Sequence, residues 1–241
     1  MQVVILAGGL GTRLWPLTRR VPKPMVPVNG VPYLEHQLRL LERQNLTDIV
    51  ILTGYLGEQI EDYFGDGGML GLRIRYSRDR QQRGTGGALR DARGVLAEAF
   101  LLIYGDSYLP IEYRAVGARL METASDAVMA VYGGLWRETG VFPNVALGAD
   151  GAVVRYDKKA TGERDLRYVE AGVLALRRQA LDLIPPDKVI SLEQEIFPLL
   201  IQSGRLWGYR TAQRFYDMGT PEGLRVIEQH LMEQLPEEQL A

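Results

Sequence analysis

Val3-Val4-Ile5-Leu6-Ala7 runs without a break into Gly8-Gly9-Leu10-Gly11-Thr12-Arg13-Leu14, and Pro22-Lys23-Pro24 follows shortly after. The opening run is apolar and rich in β-branched residues, which marks a strand buried on both faces. Glycines after such a strand let the backbone approach a ligand closely and turn its N–H groups toward an anion. Arg13 and Lys23 add fixed positive charge, so the stretch has the chemistry of a polyphosphate site. Spacing separates the competing explanations. A dinucleotide fingerprint needs glycine at its first, third and sixth positions, and counted from Gly9 the sixth is Leu14. A P-loop ends in Gly-Lys-Ser/Thr, whereas Gly11 is followed by Thr12-Arg13. A bare turn would explain the glycines, but it calls for neither Arg13 nor a proline-flanked Lys23.

Composition narrows the chemistry further. The 241 residues are 46% hydrophobic and 24% charged, enough for a substantial core. A formal net charge of -2 offers no broad field for nucleic acid or an anionic membrane, so any phosphate must be met locally. With Cys 0, disulfides, thiolate zinc sites and a cysteine nucleophile are excluded. His36 and His230, the two imidazoles, lie in stretches with helical spacing, which argues against a histidine metal cluster or a Ser-His-Asp triad. Carboxylates, lysines, arginines and backbone remain, and these suit metal-assisted phosphoryl or nucleotidyl transfer. The first apolar run is too short to span a membrane and lacks a basic leader region, so a cytoplasmic protein is expected.

Outward from the loop, Tyr33 to Gln44 has a helical period and Asp48 to Thr53 reads as a buried strand, completing a βαβ unit. Gly57 to Phe64 predicts a short helix ended by the Gly65-Asp66-Gly67-Gly68 turn. Arg73 to Tyr76, Leu101 to Tyr104 and Asp126 to Tyr132 predict further strands. Such alternation argues for a largely parallel sheet covered on both faces, with ligands at the carboxyl ends of its strands. The second half is more hairpin-like: Asn144 to Leu147, a turn at Ala149-Asp150-Gly151, Val153 to Tyr156, then a strand from Tyr168 to Leu176. Ser191 to Gln194 has the form of a capping box, opening a helix that Pro198 should kink. Thr220-Pro221 should cap a last helix that aligns Leu224, Ile227, Leu231 and Leu235. The expectation is one α/β domain over 1–241, whose hairpin-like second half suggests a substrate-binding part. Asp106, after an apolar strand and Gly105, is either a metal ligand or a turn-capping residue; the sequence alone supports both.

Leu6 to Thr18 together with Pro22-Lys23-Pro24 resembles the N-terminal signature of the sugar-1-phosphate nucleotidyltransferases, and the likeness runs to Gly223. It implies a Rossmann-like, GT-A-like three-layer α/β sandwich with a predominantly parallel mixed sheet and a smaller β-rich sugar-binding part, with 1–135 mainly nucleotide-binding and 136–241 mainly sugar-phosphate-binding. It also implies an enzyme that condenses a nucleoside triphosphate with a sugar 1-phosphate, using Mg2+ and releasing pyrophosphate. By that resemblance Leu6, Ala7, Gly8, Gly9, Gly11 and Thr12 wrap the triphosphate, while Arg13 and Lys23 stabilise the leaving pyrophosphate. Asp106, in a Gly-Asp context, and Asp217, in a late Asp-x-Gly-Thr, would hold the metal. Lys158 would bind the sugar phosphate, although Asp157 stands where the family usually has glutamate, with Lys159 as the adjacent alternative. Glu170 would meet sugar hydroxyls and Gly172 would let the ring approach. Gly84-Thr85-Gly86-Gly87 looks like the Gly-Thr-x-Gly of guanylyl- and heptose-type relatives. Where uridylyl and thymidylyl branches commonly carry glutamine, this chain has Asp79; a carboxylate only accepts hydrogen bonds and so suits the N1–H and N2–H of guanine. Gln81 and Gln82 are within loop reach, which keeps UTP or dTTP open. The compact length is most similar to heptose 1-phosphate guanylyltransferases, with mannose 1-phosphate guanylyltransferases and compact uridylyltransferases close by. A non-catalytic nucleotide-sugar sensor would also keep the fold, but Arg13, Lys23, Asp106 and Asp217 are all present. Exposed strand edges leave room for a homodimer.

Overall fold

The computed structural model describes residues 1–134 and 136–233. Its strands are β1 (Gln2–Ala7), β2 (Asp48–Thr53), β3 (Arg73–Arg78), β4 (Ala99–Tyr104), β5 (Ala127–Tyr132), β6 (Val145–Leu147), β7 (Val153–Tyr156), β8 (Val169–Arg177) and β9 (Leu206–Thr211). Seven form one sheet in the order β9-β5-β8-β4-β1-β2-β3. The β1–β2, β1–β4, β2–β3 and β9–β5 pairs are parallel; β8 runs antiparallel to both β4 and β5. The sheet is therefore mixed and mostly parallel. Alternate residues of each strand enter two separate cores, with Val3, Ile5, Ile49, Ile51, Leu101 and Ile103 on one face. Val4, Val50, Leu52, Phe100 and Leu102 are on the other. Burial on both sides is why these strands are continuous apolar runs.

One face is covered by α1 (Tyr33–Arg43), α2 (Gly57–Phe64), α4 (Tyr113–Glu122) and α6 (Pro221–Glu233), which contribute Leu34, Ile60, Val116 and Ile227 to its core. The other is covered by α3 (Gly84–Asp91) and α5 (Phe197–Gln202) through Leu89, Phe197 and Leu200. The three layers match the expected sandwich. Thr220 Oγ1 accepts from Gly223 N at 3.0 Å, so α6 starts with the cap expected of Thr220-Pro221. Leu235 lies outside the described residues.

The strand expected from Tyr168 to Leu176 forms as β8 and enters the central sheet between β4 and β5, while Tyr168 just before it bridges to Val145 of the β6–β7 hairpin. Its register shifts between Glu170 and Leu174, around Gly172 at φ +78, which is a bulge at the end of the strand nearest Asp106. The segment after Ser191 is a π-type turn, Leu192–Ile196, rather than the start of a kinked α-helix. Ser191 Oγ does accept from Gln194 N at 3.1 Å, but the reciprocal bond to Ser191 N comes from Glu195, one residue later than a capping box requires. Pro198 falls in the first turn of α5, where its missing N–H removes no ladder bond. Finally, β9 goes unmarked by sequence pattern because Gly208 interrupts it; a Cβ there would meet Leu147 of the hairpin at 2.7 Å.

Candidate active site

The glycine loop leaves β1 at the carboxyl edge of the sheet, and Gly105-Asp106-Ser107 leaves the adjacent β4 at the same edge. Gly105 must be glycine because a Cβ would meet Leu6 O at 2.5 Å, and its own N–H donates to that oxygen at 2.9 Å. The two turns are thereby zipped together. At Gly9 a Cβ would meet nothing within 4 Å, so this part of the loop faces open space. Gly11, at φ +64, turns the chain into Thr12–Leu14, and its carbonyl accepts from Thr18 Oγ1 at 2.7 Å.

Beside the loop lies a cavity of about 340 Å³. Leu6, Ala7, Gly8, Gly9, Lys23 and Asp106 line one part of it; Asp79, Gly84, Thr85 and Lys158 line the rest, joined by Gln82, Tyr104 and Glu193. Among the described residues, Gly11, Thr12, Arg13, Glu170, Gly172 and Asp217 do not line it. Lys23 Nζ lies 2.5 Å from Asp106 Oδ2, with the lysine side chain 10% exposed and the aspartate 33%. Lys23 is thus a nearly buried ammonium whose charge is met by the carboxylate at the cavity floor.

Asp217 reaches the same place through a two-residue antiparallel ribbon in which it pairs with Ser107, while Met218 N donates to Asp106 O at 3.0 Å. Burial raises the Asp217 carboxyl pKa, the Asp106 charge raises it further, and Lys23, the Gly219 N–H and Arg13 pull it back only in part. Arg13 is brought here as well: a Cβ on Gly219 would meet its guanidinium at 2.5 Å and Asp217 Oδ1 at 2.7 Å. Two neighbouring carboxylates are an oxygen donor pair suited to a hard cation. Among the described residues no group of three or more His, Cys, Asp or Glu side chains could hold a metal, so an ion bound here would complete its shell from phosphate oxygens and water.

At the start of β8, Glu170 N donates to Asn144 Oδ1 at 2.8 Å, and Glu170 Oε1 accepts from Gly172 N at 2.7 Å. Desolvation pushes the Glu170 carboxyl from an ordinary 4.5 up to about 8; the Gly172 N–H opposes this, the Glu193 charge adds to it, and Lys158 offsets a smaller part. A Cβ on Gly172 would overlap Ser107 Cβ and Oγ. The space beside Gly172 is therefore filled by the Gly105-Asp106-Ser107 turn instead of being left open to a sugar ring. After β3, Asp79 Oδ1 accepts from Gln81 N at 2.9 Å and Oδ2 from Arg83 N at 2.6 Å, so this carboxylate shapes its own loop while facing the cavity. Gly84, at φ +77, would bring a Cβ within 2.6 Å of Ile190 O, and the glycines after Thr85 pack on the same 188–190 segment.

Two residues of the site escape the sequence reading. Gln37 is buried in α1 and donates through Nε2 to Tyr104 O at 3.0 Å and Ser107 O at 2.6 Å, pinning both ends of the Asp106 turn. Its signal was a polar residue on the apolar Leu34-Leu38-Leu41 face. Glu193 is 3% exposed and bonded to Thr85, Ser191 and Lys158. It gave no signal beyond its place in the Ser191 to Gln194 pattern, because Thr85 and Lys158 are remote in sequence.

A family model described as nucleotidyl transferase matches residues 2–234. The chain belongs to the nucleotidyl transferase family. This nucleotidyl transferase is 33% identical over 229 residues to the mannose-1-phosphate guanylyltransferase of Mycobacterium tuberculosis, covering 92% of this chain and 62% of that one. It is 27% identical over 237 residues to the D-glycero-alpha-D-manno-heptose 1-phosphate guanylyltransferase of Aneurinibacillus thermoaerophilus, covering 96% of this chain and 98% of that one. The structure of HddC from Yersinia pseudotuberculosis complexed with GMP-PN superposes with a TM-score of 0.80 at 26% identity, over 95% of this chain and 99% of that one. Among the described residues, no helix of the nucleotidyl transferase is long and apolar enough to cross a membrane.

Proposed function

We propose that this nucleotidyl transferase joins GTP to a heptose or hexose 1-phosphate, giving a GDP-sugar and pyrophosphate. The observation that carries the reading is the cluster of Lys23, Asp106, Asp217 and Arg13 at the mouth of the glycine loop. It needs no protein nucleophile. A sugar-phosphate oxygen attacks the α-phosphorus in line, a new P–O bond forms, and the bond to the β-phosphate's bridging oxygen breaks. The loop amides, Arg13 and Lys23 stabilise the negative charge that gathers on the leaving pyrophosphate. Asp106 and Asp217 would hold Mg2+, which when bound neutralises charge on the phosphates. Lys23 is then free to exchange its bond to Asp106 for one to a phosphate. Lys158 faces the incoming sugar phosphate and Glu170 the sugar hydroxyls.

Guanine is supported by Asp79 at the cavity wall, since a carboxylate that accepts two backbone N–H bonds still has lone pairs for a base edge. The two guanylyltransferase relatives and the GMP-PN complex support the same choice. One observation favours a second reading: Gln82 also lines the cavity, and an amide can both donate to and accept from a pyrimidine, as UTP or dTTP would require. Pyrophosphate release measured with GTP, UTP, dTTP, ATP and CTP against mannose, glucosamine and heptose 1-phosphates tests this. GTP is expected to lead with mannose or heptose 1-phosphate. Asp106→Ala should reduce that rate by about a hundredfold or more. Higher turnover with UTP or dTTP would transfer the base reading to Gln82, and full activity in Asp106→Ala would remove the metal assignment. We propose the cytoplasm, where nucleoside triphosphates are supplied, as its compartment. Arg73, Arg75 and Arg78 on the edge strand β3 disfavour edge pairing, so a homodimer would use another face.

A further inference from the structure

Thr85, at the start of α3 beside the base-side loop, and Lys158, just past β7, approach the cleft from distant parts of the chain, and both end on Glu193. Glu193 Oε2 accepts from Thr85 Oγ1 at 2.8 Å and from Ser191 Oγ at 2.7 Å, while Oε1 accepts from Lys158 Nζ at 3.1 Å. The glutamate side chain is 3% exposed and the lysine side chain 50%. Burial alone would raise the Glu193 carboxyl, but the Lys158 ammonium and the Ser191 and Thr85 hydroxyls outweigh it and hold its pKa below the ordinary value. The carboxylate is therefore charged, and these donors are what make a buried charge tolerable here. The Thr85 hydroxyl, whose proton is given to Glu193, also accepts from Leu192 N at 2.8 Å. Backbone bonds from Gly86 N to Ile190 O at 2.9 Å and from Ile190 N to Arg83 O at 2.8 Å clamp the segment carrying Glu193 onto the base-side loop.

We propose that Glu193 is a positioning residue that holds the Lys158 ammonium in the cleft and ties it to the Thr85 end of the base-side loop. The functional consequence rests on the reading of Lys158 as the sugar-phosphate cation. A half-exposed lysine has a flexible stem and loses rotamer freedom when a ligand fixes it. Glu193 fixes it beforehand with one hydrogen bond and leaves the other ammonium donors for phosphate. Its own negative charge is already engaged by three donors, so it opposes the incoming phosphate weakly.

Glu193→Gln keeps the shape and an acceptor for Thr85 while removing the charge. In enzyme without substrate, acetylation of Lys158 by an amine-reactive ester, followed by mass spectrometry, is expected to rise about threefold or more as the charge-assisted bond is lost. With GTP and mannose 1-phosphate, the KM for the sugar phosphate should rise about tenfold while kcat and the KM for GTP stay within about twofold, the scale of one hydrogen bond to a charged group. In a Lys158→Met background the same substitution should not raise that KM further, because both changes act on one interaction. Equal effects in the two backgrounds would mean a general structural role and overturn the proposal, as would unchanged labelling of Lys158. If the wild-type enzyme releases no pyrophosphate with GTP and mannose or heptose 1-phosphate, the functional reading falls. The labelling experiment still decides whether Glu193 holds Lys158.

Discussion

Lys23 and Asp106 show how much a single contact says at the residue scale. A lysine that is 8% exposed is tolerated only because a carboxylate lies 2.5 Å from its nitrogen. That carboxylate also raises Asp217, so one ammonium is shared against two acids. Glu170 presents the opposite case, an acid kept largely neutral by its surroundings. Its carboxyl goes from 4.5 to about 8 in the fold. Between these values the unfolded chain has lost the proton and the native state keeps it, so stability falls as pH rises through this window and levels off above it. Glu170→Gln keeps an acceptor for Gly172 N and removes the titration. Its melting temperature should therefore gain on the wild type between about pH 5 and about pH 8, read by differential scanning fluorimetry. A constant difference across that range would show that Glu170 titrates normally. The candidate role of Glu170 came from resemblance; its protonation could not have, because desolvation depends on what packs around the side chain.

At the scale of elements, the glycines divide by what they make room for. Gly9 leaves space open to the cleft, whereas Gly84, Gly105 and Gly172 each admit another stretch of backbone or side chain. Gly172 combines a positive φ of +78 with Ser107 where its Cβ would be. Gly172→Ala should therefore cost about 1–3 kcal/mol, the range for a non-glycine residue held in the left-handed region, and more where Ser107 cannot move. Urea denaturation of Gly172→Ala, and of the same variant with Ser107→Gly, separates the two contributions: the second change should restore the steric part and leave the backbone part. If Ser107→Gly restores nothing, the overlap with Ser107 is not what constrains the bulge. The sheet strands of the first half, with α1 and α2, were legible in sequence because each carries a clean period of hydrophobicity; α3, which opens on Gly84-Thr85-Gly86-Gly87, and α4 were not. The π turn at Leu192–Ile196 was not, since Ser191 and Gln194 satisfy the capping-box pattern and only the backbone decides that Glu195 completes it.

The molecule as a whole is joined by β8 and β9. Both come from the later half of the chain, yet they flank β5 and, through β8, bond to β4, which bears Asp106 at its end. Strands from both halves of the chain thus share one sheet, and the two halves should unfold together. Far-UV circular dichroism and tryptophan fluorescence are expected to give coincident urea transitions; separated midpoints would mean the halves are independent units. The sequence by itself determined the mostly parallel core, the glycine loop with its cations and the types of residue able to do the chemistry. Periodicity, glycine spacing and a proline-flanked cation after the loop are local properties that survive without coordinates. Only the tertiary structure decided that Arg13 joins Asp217, that Gln37 pins the Asp106 turn, and that Glu193 bridges Thr85 and Lys158. Those partners are set by strand order and by the desolvation of groups far apart in the chain, and neither leaves a mark in the order of residues.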